Sequence, residues 1–530
     1  MTERFICQID HLACHEKGLF CFGWALDPVA RLSQVHLVLH FPDGSCQRVK
    51  ATMGKPREDV ALAFPGNPNA ANSGFMMIAG WNRQPPERAE LVFASGDGQT
   101  WRSSLALPAR DPEAAKARVH GAYLLRRVWG LARSGRFATL WKKALHYYRG
   151  SARLEAPDQI ALANCVAGRN ARLVIDHSMG GGANLFRERV VADWIAQGDV
   201  VVLLSFRVSE MTPFVEIRDA SGVILVQALK AFDSLRGALL GARLAEIFLN
   251  CAVSFPDPDS LRDFVAGLKA ATDARLIIAI HEYFYVCPSH FLLDEDGRYC
   301  DIPGPDRCSS CLSKQEEGFV SLTGERSVVA WRQRWAALLT LADEVRCFSE
   351  SSIRLMKRAF AGVEMRAQLS PHYVVPLRPV ARPKPDQTAV VVGIIGTISV
   401  HKGAQVVADL AAAIERRKAP VRIVIIGSVD ANCPAGVVTE TGPYDQDELP
   451  DIVERHGIGI ALLPSICPET FSFVAHEILS MQLPLMSFDL GAQADLVKAC
   501  SRGRIARHQD GDGLLGEILE FAHILSLSGK

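Results

Sequence analysis

The chain has 530 residues with 58 acidic and 58 basic side chains, which allows roughly two to four domains with ample core and excludes recognition of nucleic acid by net charge. No window approaches the roughly eighteen apolar residues of a membrane span, the nearest being the Gly- and Thr-broken stretch Ala389 to Val400; Glu3, Asp10 and Glu16 argue against a secretory signal. Fourteen cysteines, most in apolar contexts, read as reduced thiols of a cytoplasmic protein, with one group of four set apart.

Residues 1–110 carry short apolar or alternating runs (Gly18 to Leu26, Val35 to Phe41, Phe75 to Ala79, Glu90 to Ala94), parted by turn signals at Asp27-Pro28, Pro42-Asp43-Gly44 and Gly96-Asp97-Gly98. That spacing predicts a small all-β sandwich, an accessory domain with no acid, base or nucleophile cluster. Trp24, Trp81 and Trp101 are of a kind that stacks on sugars, yet in so small a sandwich tryptophan is more often core or rim. Over 111–168 the pattern turns helical. Between 111 and 150 nine basic residues (Lys116, Arg118, Arg126, Arg127, Arg133, Arg136, Lys142, Lys143, Arg149) face only Asp111 and Glu113, with Trp129, Phe137, Trp141 and Tyr147 among them. This basic amphipathic linker suits peripheral contact with an anionic membrane and equally a connecting helix pair with its solvated side basic.

Residues 169–385 have the texture of an open α/β sheet, with strand candidates at Leu173 to Asp176, Val200 to Ser205, Gly222 to Val226, Glu246 to Asn250 and Leu276 to Ile280. Gly180, Gly181 and Gly182 then lead into a helix over Asn184 to Ala196. The third glycine of a dinucleotide fingerprint is missing and the next strand ends in Ser205-Phe206-Arg207 without a ribose acid, so nicotinamide binding is disfavoured. A glycine turn at Gly181 and Gly182 still lets backbone approach a sugar or phosphate. His281 follows a strand at its carboxyl end, where such sheets place ligand-binding residues. Over 287–311, Cys287, Cys300, Cys308 and Cys311 match the ligand set of a structural zinc site pinning a polar loop, with uncoordinated thiols as the alternative. Helices are predicted at Ser327 to Ala342 and Ser349 to Ala361, then a stiff linker at Pro376, Pro379, Pro383 and Pro385.

Residues 386–530 repeat the βαβ pattern: strand Val390 to Ile395, turn Gly396 to Gly403, helix Ala404 to Arg417, strand Val421 to Ile426. Two α/β domains joined by a proline hinge imply a cleft, and Lys402 at a helix start can neutralise a diphosphate or lie idle on the surface. Further on, Ile458 to Leu463 ends in a Pro/Ser/Cys/Pro turn and gives way to a helical segment, with Glu469 in the loop and Glu477 about two turns along. Eight helical residues rise about 12 Å, so these carboxylates suit opposite ends of one extended ligand better than the two sides of one bond. Between them, the first-turn N–H groups near Phe471 to Phe473 make an anion site, with Thr470, Phe471 and Ser472 as its candidate binding residues. A nucleotide-sugar has that order of groups; an ordinary αβ junction with two acids is the alternative.

In these motifs the second half resembles the C-terminal domain of retaining, nucleotide-sugar-dependent glycosyltransferases of the GT-B fold, family 4 type. The matching pieces are Gly396 to Gly403, Thr441-Gly442-Pro443-Tyr444 with Glu448-Leu449, Pro464-Ser465, and Glu469-x7-Glu477. The first half looks like their N-terminal domain, with Gly180 to Gly182 and His281-Glu282-Tyr283-Phe284 before Cys287-Pro288, a pattern of bacterial O-antigen and capsule enzymes. The resemblance spans about 170–530. It implies two Rossmann-like domains facing a cleft and hexose or deoxyhexose transfer from a UDP-, GDP- or dTDP-linked donor to a glycan acceptor. That acceptor would be lipid-linked, at the inner face of the plasma membrane, and no cofactor would be required for catalysis. By position, Glu469 would meet the donor sugar, Glu477 the ribose, Lys402 the diphosphate, His281 the reacting carbon, and the Gly181 turn the donor and acceptor. Two residues depart from the family pattern: Thr397 stands where an arginine on the diphosphate is usual, and Gln482 where a glycine is common. A catalytically degenerate sugar-nucleotide binder and a carbohydrate-binding adhesin are the rival readings.

Overall fold

The computed structural model describes residues 5–107, 159–381 and 389–527. The basic segment 111–150, Pro383 and Pro385 lie outside the described residues. The chain divides into two compact units that do not follow chain order. The first comprises Met1–Ala279, Pro305–Glu344 and Glu364–Arg366; the second comprises Ile280–Gly304, Val345–Val363 and Ala367–Lys530.

The first unit opens with eight strands: β1 (Ile6–His15), β2 (Gly18–Leu26), β3 (Leu32–His40), β4 (Cys46–Lys50), β5 (Thr52–Lys55), β6 (Gly74–Gly80), β7 (Arg88–Ser95) and β8 (Thr100–Leu105). They form two antiparallel sheets, ordered β1-β2-β6-β5 and β4-β3-β7-β8. Alternation along β7 (Ala89, Leu91 and Phe93 in) and β3 (Val35, Leu37 and Leu39 in) sends one face of each sheet into a shared core with Leu19 and Phe75. Trp24 and Trp81 are buried, the Trp81 indole donating to the Glu16 carbonyl (2.8 Å), and Trp101 stacks on Phe93 (5.0 Å between centroids). The sandwich is sewn to the segment 305–344 of its own unit. The Lys50 N–H donates to the Glu316 carbonyl (2.7 Å), His36 Nε2 pairs with the Glu316 carboxylate (3.0 Å), and a Cβ on Gly80 would stand 1.7 Å from the Leu322 carbonyl oxygen.

The α/β part of this unit uses β9 (Asn170–His177), β10 (Val200–Arg207), β11 (Thr212–Asp219), β12 (Gly222–Ala228), β13 (Arg243–Leu249) and β14 (Arg275–Ile280), ordered β12-β11-β10-β9-β13-β14. β10, β9, β13 and β14 run parallel. The expected strands are present, but β10, β11 and β12 make an antiparallel meander rather than continuing the parallel series. β11 has no apolar run in the sequence, because Thr212, Pro213, Glu216 and Arg218 interrupt its apolar residues.

The second unit holds a parallel pair, β15 (Glu344–Cys347) and β16 (Ala367–Leu369). Its main sheet comprises β17 (Val390–Ile398), β18 (Val421–Val429), β19 (Val438–Glu440), β20 (Ile460–Leu463), β21 (Leu485–Phe488) and β22 (Gly503–Ala506). All six are parallel in the order β19-β18-β17-β20-β21-β22, the 3-2-1-4-5-6 order of dinucleotide-binding folds. β17 reads as an unbroken apolar run because both faces are covered, Val392 and Ile394 by one cluster and Val391 and Ile395 by the other. Gln482, just past the helix Phe473–Ser480, has φ +59, a left-handed backbone that costs a non-glycine residue about 1 kcal/mol. The glycine-preferring geometry is therefore kept although the glycine is not. Among the described residues no helix is long and apolar enough to cross a membrane.

Candidate functional site

In a sheet of this order, neighbouring connections leave in opposite directions between the first and fourth strands, which opens a crevice at their carboxyl ends. Here those strands are β17 and β20. The first runs on through Gly396 to Ile398, the turn Ser399 to Gly403 leaves it, and the loop from Pro464 to Ser472 leaves the second. The two are locked together. The Ile466 N–H donates to the His401 carbonyl (3.1 Å), and the Gly403 α-carbon (φ +87) lies so close that a Cβ there would meet the Pro464 oxygen at 2.0 Å. Only glycine accommodates both the approach and the dihedral.

Lys402 ends a short 3-10 turn, Val400–Lys402, one residue before the helix Ala404–Arg417, and its charge acts on His401 and Cys467. His401 stacks on Phe291 (3.8 Å between centroids, 11° between planes), and burial, followed by the Lys402 charge, pushes its imidazole down to about 4. His401 is thus neutral near pH 7, leaving Lys402 as the charge of the turn. Thr397 is exposed at the end of β17, in register with Ser428 of β18.

Glu469 is half-buried, and its carboxylate Oε1 accepts from the Ser465 hydroxyl (2.6 Å). Its backbone is held on both sides: its N–H donates to Gln493 Oε1 (3.1 Å), and its carbonyl accepts from the Ala492 N–H (2.9 Å). Thr470 Oγ1 donates to the His281 carbonyl (2.8 Å), and the Thr470 carbonyl accepts from Ser352 Oγ (3.2 Å). The helix starts at Phe473, where Ser472 caps the Ala475 N–H (3.4 Å), so Glu477 lies little more than one turn into it. The remainder of the Glu469 to Glu477 spacing is loop, which corrects the expectation of two helical turns. Glu477 is 8% exposed; Gln446 Nε2 donates to its Oε1 (2.8 Å), and burial raises its carboxyl pKa against that hydrogen bond. Tyr444 is partly buried, its phenol pushed up to about 12 by burial and by the nearby Glu477 charge.

A run of rings accompanies this loop. His281 stacks on Phe348 (4.5 Å), Phe348 on His372 (4.0 Å), His372 on Phe473 (5.0 Å), and Phe471 on His476 (4.5 Å). The second unit thus brings His281, Lys402, Thr470, Phe471, Ser472, Glu469, Tyr444 and Glu477 onto connected loops and one helix. Gln446, Gln493, Phe348 and His372 belong to the same neighbourhood and were not expected, since each lies far along the chain from the motif it serves and no local pattern marks it.

Gly181 and Gly182 belong to the first unit. Gly180 (φ +86) and Gly181 (φ +94) make the turn from β9 into the helix Gly182–Ala196, and beyond the adjoining residues no atom lies within 4 Å of a Cβ built on either. The turn is framed from behind: Asn184 Oδ1 accepts from the Gly180 N–H (2.6 Å), while Asn184 Nδ2 and Arg187 Nη1 both donate to Asp176 Oδ2 (2.7 and 2.9 Å). Among the described residues, one group of three side chains with metal-ligating atoms falls within 4.8 Å: Asp176, His177 and Cys251. It does not suit a cation. Arg187 already neutralises Asp176, and the Met179 N–H donates to His177 Nδ1 (3.1 Å), which places the ring proton on Nε2 and leaves no lone pair there.

Of the four clustered cysteines, Cys287 and Cys300 belong to the second unit, and Cys308 and Cys311 to the first. The latter pair stand one turn apart on the helix Pro305–Lys314, a spacing that puts both thiols on one face and fits two ligands of one metal.

The molecule is thus an α/β protein of two Rossmann-like units, the first of which also carries an antiparallel β region. Among solved structures the chain is similar to HepE of Anabaena in complex with UDP and glucose (14% identity, 66% of this chain and 89% of that chain, TM-score 0.42). It is also similar to a glycosyltransferase from Rickettsia africae (12%, 67% and 89%, TM-score 0.41) and to the pneumococcal O-GlcNAc transferase GtfA (11%, 54% and 52%, TM-score 0.32). No family model and no curated protein matches it.

Proposed function

We propose that this chain is a nucleotide-sugar-dependent glycosyltransferase of the GT-B kind, moving a hexose or deoxyhexose to a glycan hydroxyl with retention at the anomeric carbon. The observation that carries the reading is the pairing, at the carboxyl ends of β17 and β20, of a Lys402-bearing turn with a loop that holds the Glu469 carboxylate in a fixed hydrogen-bond frame. A diphosphate beside Lys402 and the amides of the helix start is matched in charge. Glu469 takes the sugar hydroxyls and Glu477 the ribose. In the reaction the bond from the anomeric carbon to the diphosphate oxygen breaks, and the bond to the acceptor oxygen forms on the same face. The acceptor proton passes to the departing phosphate. The protein supplies alignment and charge stabilisation, with His281 beside the reacting carbon.

The test is a panel of UDP-, GDP- and dTDP-hexoses incubated with the purified protein. Nucleotide diphosphate release, raised by a glycan acceptor, is the expected result for at least one donor, together with a higher melting temperature in its presence. A donor that raises the melting temperature but is never turned over would replace the enzyme reading with that of a sugar-nucleotide binder.

A further inference from the structure

Glu469 lies in a loop, and loops hold side chains less precisely than helices or strands do. Its immobilisation comes from the first turn of the helix Gly491–Ala499, which follows β21. Gln493 is 1% exposed and uses both ends of its carboxamide on this loop: Oε1 accepts from the Glu469 N–H, and Nε2 donates to the Cys467 carbonyl, each at 3.1 Å. Two residues away, Gly491 (φ +60) presses its backbone against the same segment, so closely that a Cβ would stand 2.5 Å from the Glu469 nitrogen and 2.7 Å from its oxygen. The Ala492 N–H completes the hold on the Glu469 carbonyl. A buried primary amide spanning a carbonyl and an N–H two residues apart fixes the backbone between them as a strand partner would, and an apolar side chain would leave both groups buried without a partner.

We propose that Gln493 is a positioning residue that sets the aim of Glu469 through this two-point clamp, with Gly491 as its close-packed seat; the inference rests on the transferase reading. Gln493 touches no donor in this scheme and acts only through the loop. It connects the acid of one βα loop to the helix Gly491–Ala499, whose first turn it occupies.

The experiment uses full-length protein and the donor that the panel identifies, with Gln493→Met and Gly491→Ala made separately, each alone and together with Glu469→Gln. Misplacing a reacting group by about 1 Å costs on the order of a hundredfold. Each single variant should lose about that much turnover while remaining folded by circular dichroism. In the Glu469→Gln background, where the aimed charge is gone, the same change should cost less than about twofold, because the two substitutions remove one shared contribution. Turnover of Gln493→Met within about twofold of wild type overturns the clamp. So does an equal loss in both backgrounds, which would make Gln493 a packing residue only. If one variant does not fold, the other carries the test. Wild-type protein that turns over no donor removes the transferase reading and this inference with it, a result distinct from a fault in the clamp alone.

Discussion

Glu469→Gln should lower donor turnover by about a hundredfold or more, equivalent to about 2.7 kcal/mol of transition-state stabilisation, without a change in melting temperature. The amide keeps the size of the side chain and can still accept from Ser465, so the loop frame, built mainly on the Glu469 backbone, survives. Under the proposed function, what is lost is the negative charge that would face a sugar gaining positive character as its bond to the diphosphate breaks. The measurement is steady-state release of nucleotide diphosphate from the donor that the panel selects. Turnover near the wild-type rate would take the central assignment away. Glu477→Gln is a useful contrast: under the proposed function it weakens a hold on the ribose that ground and transition state share alike, which raises KM and spares kcat.

Gly403→Ala should lower stability sharply. The added methyl would sit 2.0 Å from the Pro464 carbonyl oxygen and 2.7 Å from its carbon, and the residue would have to hold φ +87. Neither conflict is relieved by a rotamer change, since the obstacle is backbone, so the turn and the loop must part. A cost of about 3 kcal/mol is expected from overpacking together with left-handed strain. It should appear as a lower melting temperature and as weaker donor binding, because the seam between β17 and β20 carries both Lys402 and Glu469. An unchanged melting temperature would mean that the seam is not closed in solution.

Much of the architecture was legible because burial on both faces writes itself into sequence. Val390 to Ile395 and Val421 to Ile426 are apolar runs bounded by glycine, and both proved to be adjacent parallel strands. The helix Ala404–Arg417 has the bounds its periodicity predicts. The meander of β10, β11 and β12 was less legible, since β12 is an edge strand whose half-exposed residues give little signal and β11 carries Pro213. At the site, chemistry-bearing residues in local motifs could be found, but the residues that hold them could not. Gln493 lies 24 positions beyond Glu469, and Ser352 reaches the Thr470 carbonyl across 118. Such partners are chosen by the folded backbone, and nothing in their immediate sequence distinguishes them from ordinary polar residues. Grouping by chain order is likewise a poor guide: residues 280–304, contiguous in sequence with the first α/β sheet, pack with the second unit, where Phe291 meets His401.

The seam at Gly80 and Glu316 bears on how the gene can be cut. Because the sandwich shares hydrogen bonds and a near-contact backbone crossing with residues 316–322, it does not hang from the protein as a pendant. Trimming it off would strip the cover from a stretch lying more than two hundred positions downstream. Shortened versions that begin near residue 160 therefore start with an apolar wound, and a chimera that borrows the sandwich needs to bring the matching helical strip along.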